Sequence, residues 1–236
     1  MSVPTAKDMA DALKQTGAAL FSKQLITSSH VFYELARNAI SHGNENVSWE
    51  YEISESNPIE FKRTYNQHIN KDIRPRIYAS ISVQRSTTGG VCFNRLDLAL
   101  EVLDDENNVL IKHHIDFANS PAGQFQEGPL FHLQFGGHTP GNTKSFEVPI
   151  KEPRWLCIPL DVVLLCEVVV ANFYPEDWVE LKNLPRWNDP IASSQKLCII
   201  PFLNALQSKA SISTRSLLDH MWASTVGPSY VQAGFP

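Results

Sequence analysis

The sequence is short of the features that usually announce a function. Its 236 residues contain four cysteines, Cys92, Cys157, Cys166 and Cys198, with no CxxC pair and no zinc spacing between Cys157 and Cys166. They read as small buried hydrophobes in a reducing compartment rather than as a disulfide framework or a metal site. Long apolar runs are missing too. The longest, Leu160 to Phe173, is broken by Asp161, Glu167 and Asn172 and is too short to span a bilayer. Met1 to Ala19 carries Lys7, Asp8, Asp11 and Lys14 and lacks the apolar core of a secretory signal. These absences predict a soluble, cytoplasmic chain without a membrane partner. Charge is also scarce: 19% of residues are charged, below the usual quarter, and the net charge is −5. A protein held to nucleic acid by bulk positive charge is disfavoured. The P-loop, GxSxG, HExxH and dinucleotide fingerprints are all missing, so no cofactor and no metal is expected.

What is present is hydrophobic patterning. Hydrophobic residues make up 43% of the chain, enough to exclude disorder as the main state. Thr5-x-x-Asp8 resembles a capping box and opens a helix to about Leu20, with Met9, Leu13 and Leu20 on one face. Ser28 or Ser29 caps a second helix that stops at His42-Gly43. The period then changes from helical to alternating. Val47 to Ile53 reads as a strand, and 54–76 as irregular with a short strand near Phe61. Three half-buried strands follow: Ile77 to Gln84, Arg95 to Val102, and Val109 to Phe117. Turns at Thr88-Gly89-Gly90 and at 104–108 join them into an antiparallel meander. Phe131 to Phe135 continues the pattern, and Phe146, Val148 and Ile150 suggest one more strand.

Beyond Pro159 the apolar segment 160–173 reads as a buried helix, with a strand as the competitor because of its valines. Pro175-Glu176-Asp177 reads as a helix start. Asp189-Pro190 reads as a cap followed by an N1 proline, with Pro201 interrupting that helix and a last helix over 213–222. The order helices, strands, helices predicts an α+β fold. It is an antiparallel meander sheet packed on one face by the N-terminal and C-terminal helices. A single domain is expected over 1–236, helical over 1–43, sheet over 47–150 and helical again over 159–226.

Chemistry concentrates on the strands. Period two puts His132 and Gln134 on one face of their strand and Phe131, Leu133 and Phe135 on the other. If the strand faces agree, His132 shares a surface with His114, Asp97, Arg95 and Ser80. Two imidazoles could then exchange protons while Arg95 stabilises an anion, as a metal-independent ribonuclease requires. An ordinary solvated sheet face explains the same residues. His113, in the apolar series, reads as a core histidine. His30 and Glu34 have i, i+4 metal spacing without further ligands, and Glu34 with Arg37 fits an ion pair. Arg154 either pairs with Asp161 or binds an anion near a helix start. Lys62, Arg63, Lys71, Arg74, Arg76 and Arg85 are the only local basic excess, suited to nucleic-acid phosphates or to a solvated loop.

Three segments together resemble a known pattern: His132-Leu133-Gln134-Phe135-Gly136-Gly137, then Pro153-Arg154 with Pro159-Leu160-Asp161, then Asn172-Phe173-Tyr174-Pro175. They are similar to uncharacterised prokaryotic families associated with defence and toxin–antitoxin systems, including TumE-like toxins. The likeness covers roughly 128–206, and Gln134 stands where the toxin pattern carries a second His. It implies a bacterial cytosolic protein in a defence or mobile-element context. Three functions follow as expectations: a subunit acting through protein partners or as a homo-oligomer, with nucleic acid as a further candidate partner; a ribonuclease-like enzyme using His132, His114 and Arg95; and a small-ligand sensor with its pocket on the sheet.

Overall fold

The computed structural model describes residues 3–41, 48–84, 92–118, 128–136, 153–212 and 216–222. Its architecture is α+β, as the order of patterns predicts. Helix α1 (Ala6–Ser22) starts at the capping box: Thr5 Oγ1 accepts from the Asp8 amide at 3.1 Å, and the Asp8 carboxylate accepts from the Thr5 amide at 2.8 Å. Met9, Leu13 and Leu20 are fully buried. Helix α2 (His30–Ser41) packs across it. Gly17 permits that crossing, because a Cβ there would lie 2.6 Å from Cβ of Phe32.

The strands are β1 (Ser48–Ile53), β2 (Ile59–Glu60), β3 (Thr64–Asn66), β4 (Lys71–Gln84), β5 (Phe93–Leu103), β6 (Val109–Phe117), β7 (Phe131–Phe135) and β8 (Trp155–Leu156). They form one antiparallel sheet of order β1-β4-β5-β6-β7-β8, with β2 and β3 also paired on β4. The meander is therefore as expected, with two corrections. Residues 54–76 are more regular than expected: the short strand near Phe61 is present as β2, but β4 already begins at Lys71 and carries β3 as well as β2 along its first half. Pro75 can sit inside this strand because only its carbonyl is needed, accepting from the Phe61 amide at 3.0 Å. The second correction is β8, a short edge strand on β7 that no alternation announces. The Thr88-Gly89-Gly90 turn, the 146–150 strand, the His42-Gly43 stop and the 227–236 tail lie outside the described residues. In the 104–108 turn, Asp104 Oδ1 accepts from the amides of Glu106 and Asn108 at 3.0 and 2.8 Å, and Asn107 takes positive φ.

Helix α3 (Val162–Phe173) settles the helix-or-strand ambiguity of the valine-rich segment. Asp161 is its N-cap and accepts from the Leu164 amide at 2.9 Å and from Ser194 Oγ at 2.6 Å. The second bond ties α3 to α5 (Pro185–Leu197), which follows α4 (Pro175–Leu181). The expected start at Asp189-Pro190 is overturned. Pro185 takes the N1 place, buried Trp187 and Ile191 set the inward face, and Pro190 lies inside the helix. Its missing N–H forgoes only the bond to the Arg186 carbonyl. Helix α6 (Ile199–Ile212) carries Pro201 in its first turn, where no N–H is needed, so the proline does break the chain of helices between Leu197 and Ile199. The last helix, expected over 213–222, is described as the single turn α7 (Leu217–His220) capped by Ser216, and 213–215 lie outside the described residues.

The core lies between the helices and one face of the sheet, where Trp49, Tyr51, Ile77, Ile81, Leu96 and Leu98 meet Leu13, Phe32, Val163 and Trp187. Among the described residues no helix is long and apolar enough to cross a membrane. Gly17→Ala gains helix propensity of about 1 kcal/mol but drives a methyl into Phe32, and overpacking costs about 1–3 kcal/mol. The expected net effect is a loss of up to about 2 kcal/mol, a fall of up to roughly 8 °C in the melting midpoint by calorimetry. A rise in the midpoint would show that α1 and α2 do not meet there.

Candidate functional site

Register decides which strand residues meet. On the face away from the helices, Glu52, Ser80, Asp97, Asp116 and His132 form one cross-strand row. Tyr78, Ala99, His114 and Gln134 form the next, and Glu60, Arg76, Glu101 and Lys112 the one after. The sequence-based expectation of a shared polar face therefore holds: His132, His114, Asp97, Arg95 and Ser80 all lie on it. His114 and His132 are diagonal neighbours on β6 and β7, about 7 Å apart at the backbone.

The environments differ from that expectation. His132 is fully buried. Its Nδ1 lies 3.0 Å from the Pro129 carbonyl, which only accepts, so Nδ1 carries the proton and Nε2 a lone pair. Nε2 has no hydrogen-bond partner and faces Asp116 Oδ2 at 3.8 Å, just beyond bonding distance. Burial lowers the His132 pKa to about 4; the Pro129 bond opposes this and the Arg154 charge adds to it. His114 is also lowered to about 4, by burial and then by Lys112, with Glu101 and Asp97 pulling the other way. Both imidazoles are neutral at pH 7.

Asp116 is the group that sequence reasoning passed over. Burial and then the Asp97 carboxylate directly opposite raise its pKa to about 7, against the pull of Arg154. Its side chain keeps 19% exposure, so it can exchange protons with solvent while His132 cannot. Alternation alone marks Asp116 as one more outward polar residue; its distinction comes from which carboxylate and which imidazole the register sets beside it.

Arg95 is not part of this group. It sits two strands from His132, about 10 Å away, and its Nε donates to Asp97 Oδ2 at 2.5 Å. Arg154 does not pair with Asp161, whose carboxylate is sequestered by Leu164 and Ser194. Arg154 instead lies over Gly128, where a Cβ would come within 2.8 Å of its Cδ, and its Nε donates to Gln134 Oε1 at 3.5 Å. Three of the six residues of the basic excess are answered locally, while Lys71 is exposed. Arg63 pairs with Asp105 at 3.4 Å, Arg74 with Glu60 at 3.1 Å and Arg76 with Glu101 at 2.7 Å. Lys62 is exposed, and Arg85 lies outside the described residues. His30 pairs with Glu34 at 3.1 Å, and no metal-holding cluster occurs among the described residues.

The other face carries a second feature. Among the described residues, the helices cover β1, β4 and β5 and leave the β6–β8 end of the sheet open. Ile111, Phe135, Trp155, Ile158 and Val168 are each between 38% and 57% exposed there. Soluble monomers rarely expose such a group of large side chains on one margin without using it.

No protein-family model, no curated protein and no solved structure matches this chain.

Asp116 gives a pH-dependent prediction. Its folded pKa lies above the unfolded value of 3.8, so the fold prefers the protonated carboxyl. Below about pH 4 both states are protonated and nothing is lost. Between pH 4 and 7 the unfolded state sheds its proton first, and folding loses stability until the folded group also ionises. Asp116→Asn is expected to come close to wild type near pH 4 and to exceed it by on the order of 4 kcal/mol at pH 8. Urea denaturation at both pH values checks this; a difference independent of pH would refute the shifted carboxyl.

Proposed function

We propose that the protein is a partner-binding subunit of a prokaryotic defence or toxin-type system, working in the cytosol. The observation that carries this reading is the open apolar margin at Phe135, Trp155, Ile158 and Val168. Aromatic and large aliphatic side chains that keep half their surface in water are the usual anchors of a protein interface. The resemblance of the 128–206 segment to defence-associated families supplies the context. The local pairing of Arg63, Arg74 and Arg76 supports protein rather than nucleic acid as the principal partner, because paired guanidinium groups contribute little to phosphate binding.

Light scattering tests it on the purified chain, alone and co-expressed with the products of the adjacent genes. The expected result is a self-assembly or a defined complex that is lost in a Phe135→Glu, Trp155→Glu double variant that still folds. A monomer under both conditions, or a complex indifferent to the two substitutions, overturns the reading.

A second reading, a metal-independent ribonuclease-like activity, is favoured by the Asp116–His132 pair. Asp116 would accept or give the proton, His132 would position it from behind, and Arg154 would face the developing negative charge. Cleavage of RNA in the presence of EDTA is then expected, falling about 100-fold or more in Asp116→Asn and in His132→Ala. No cleavage by wild type, or equal cleavage by the variants, removes it.

A further inference from the structure

The open end of the sheet is not only a surface. Between the underside of β5–β7 and helix α3 lies a cavity of about 280 Å³. Its floor is Leu98, Ile115 and Leu133, its helical wall is Leu165 and Val168, and residues 157–160 close a third side. Phe135 stands at its margin, with the His113 ring edge-on to it at 5.0 Å.

We infer that this cavity is a binding site for a small uncharged apolar molecule, about the size of two fused rings or a medium-length alkyl chain. Three observations fix the class. The volume is nearly twice that of an engineered apolar cavity of about 150 Å³ that takes up benzene. The walls come from one chain on three sides, which gives a bounded pocket rather than a face for a helix or strand. His113 is the one titratable imidazole in a lining otherwise made of aliphatic and aromatic carbon and the Cys157 thiol. Among the described residues no carboxylate, guanidinium or ammonium group lines it, so a charged ligand would lose its hydration without compensation there. Water gains little in such a space, whereas an apolar guest gains both transfer and dispersion energy.

The inference does not rest on the partner-binding reading. A ligand can bind a chain that stays monomeric, and a partner can dock on a chain whose cavity stays empty.

Naphthalene is the probe, followed by saturation-transfer and nuclear Overhauser NMR on the intact chain. The expected result is saturable one-to-one binding, with cross-peaks to methyl groups of Leu98, Leu133 and Val168. 2-Naphthoate should bind at least 10-fold more weakly. Val168→Trp, which narrows the mouth, and Leu133→Trp, which fills the floor, should each weaken naphthalene at least 10-fold, with the fold checked by circular dichroism. The methyl cross-peaks are read on wild type, so the test stands even if a variant fails to fold. No saturable binding, cross-peaks to other residues only, or equal affinity for naphthoate overturns the inference.

Discussion

The structure depends on the register of three strands, and Glu101 holds that register. Its carboxylate sits on β5, almost fully buried, and accepts from Arg76 and Tyr78 of β4 and from Lys112 of β6. The Arg76 and Lys112 contacts are 2.7 and 2.9 Å. Burial by itself would raise the Glu101 pKa, but the hydrogen bonds from Lys112 and Arg76 outweigh it and hold the carboxyl below its ordinary value. A slip of one residue would turn Glu101 toward Leu98 and the helices, leaving a carboxylate in the core and two cations without it. Apolar patterning favours the observed pairing; this ion cluster makes the alternative expensive.

With the register fixed, the polar face acquires a particular chemistry. The row that contains Asp97 also contains Asp116 and His132. Two carboxylates placed opposite each other cannot both ionise at low cost, and the more buried of them keeps its proton. The imidazole behind it stays neutral because burial shuts it from water and Arg154 adds its charge, against the opposing pull of the Pro129 carbonyl on Nδ1. Such a pair is costly to fold around. An unsatisfied buried nitrogen costs about 1–3 kcal/mol, which gives the site a reason to be read as chemistry rather than packing. On the same face Arg95, Arg74, Arg76 and Lys112 are held by Asp97, Glu60 and Glu101, which reduces the positive potential it projects toward a polyanion.

Much of this was legible in the sequence. Period two between Ile77 and Phe135 gives the strands, their order and their two faces. The Thr5–Asp8 box and the Pro175 start give helix ends that coincide with the structure. The failures have physical causes. Pro75 and the polar run before it hide the first half of β4, because a strand that gives only a carbonyl can accept a proline. Asp189-Pro190 mimics a helix start, because an N1 proline at Pro185 and the inward pull of Trp187 are tertiary facts. Arg154 and Asp161 look like partners in sequence but are separated by the cap that Asp161 makes with Leu164 and Ser194. Asp116 was invisible because a pKa shift depends on which residue lies across the strand, and register is not written in one strand alone.

The width of the helix layer explains the remaining feature. β4 and β5 are buried on their inner face along most of their length, whereas β6 is only half covered and Phe135 of β7 is half exposed. Helix α2 stands over the β1 side, with α1 packed on it, and α3 reaches only partway to β7. Among the described residues the sheet therefore runs past its helical cover by about two strands. Burying the apolar underside of those strands would stabilise the chain at roughly 25 cal/mol per Å². A sequence selected for stability alone would place serine or lysine at Phe135 and Trp155, or end the sheet sooner. Keeping large apolar residues at an open margin makes sense where something else, a guest in the cavity or a partner over the rim, completes the layer that the helices leave unfinished.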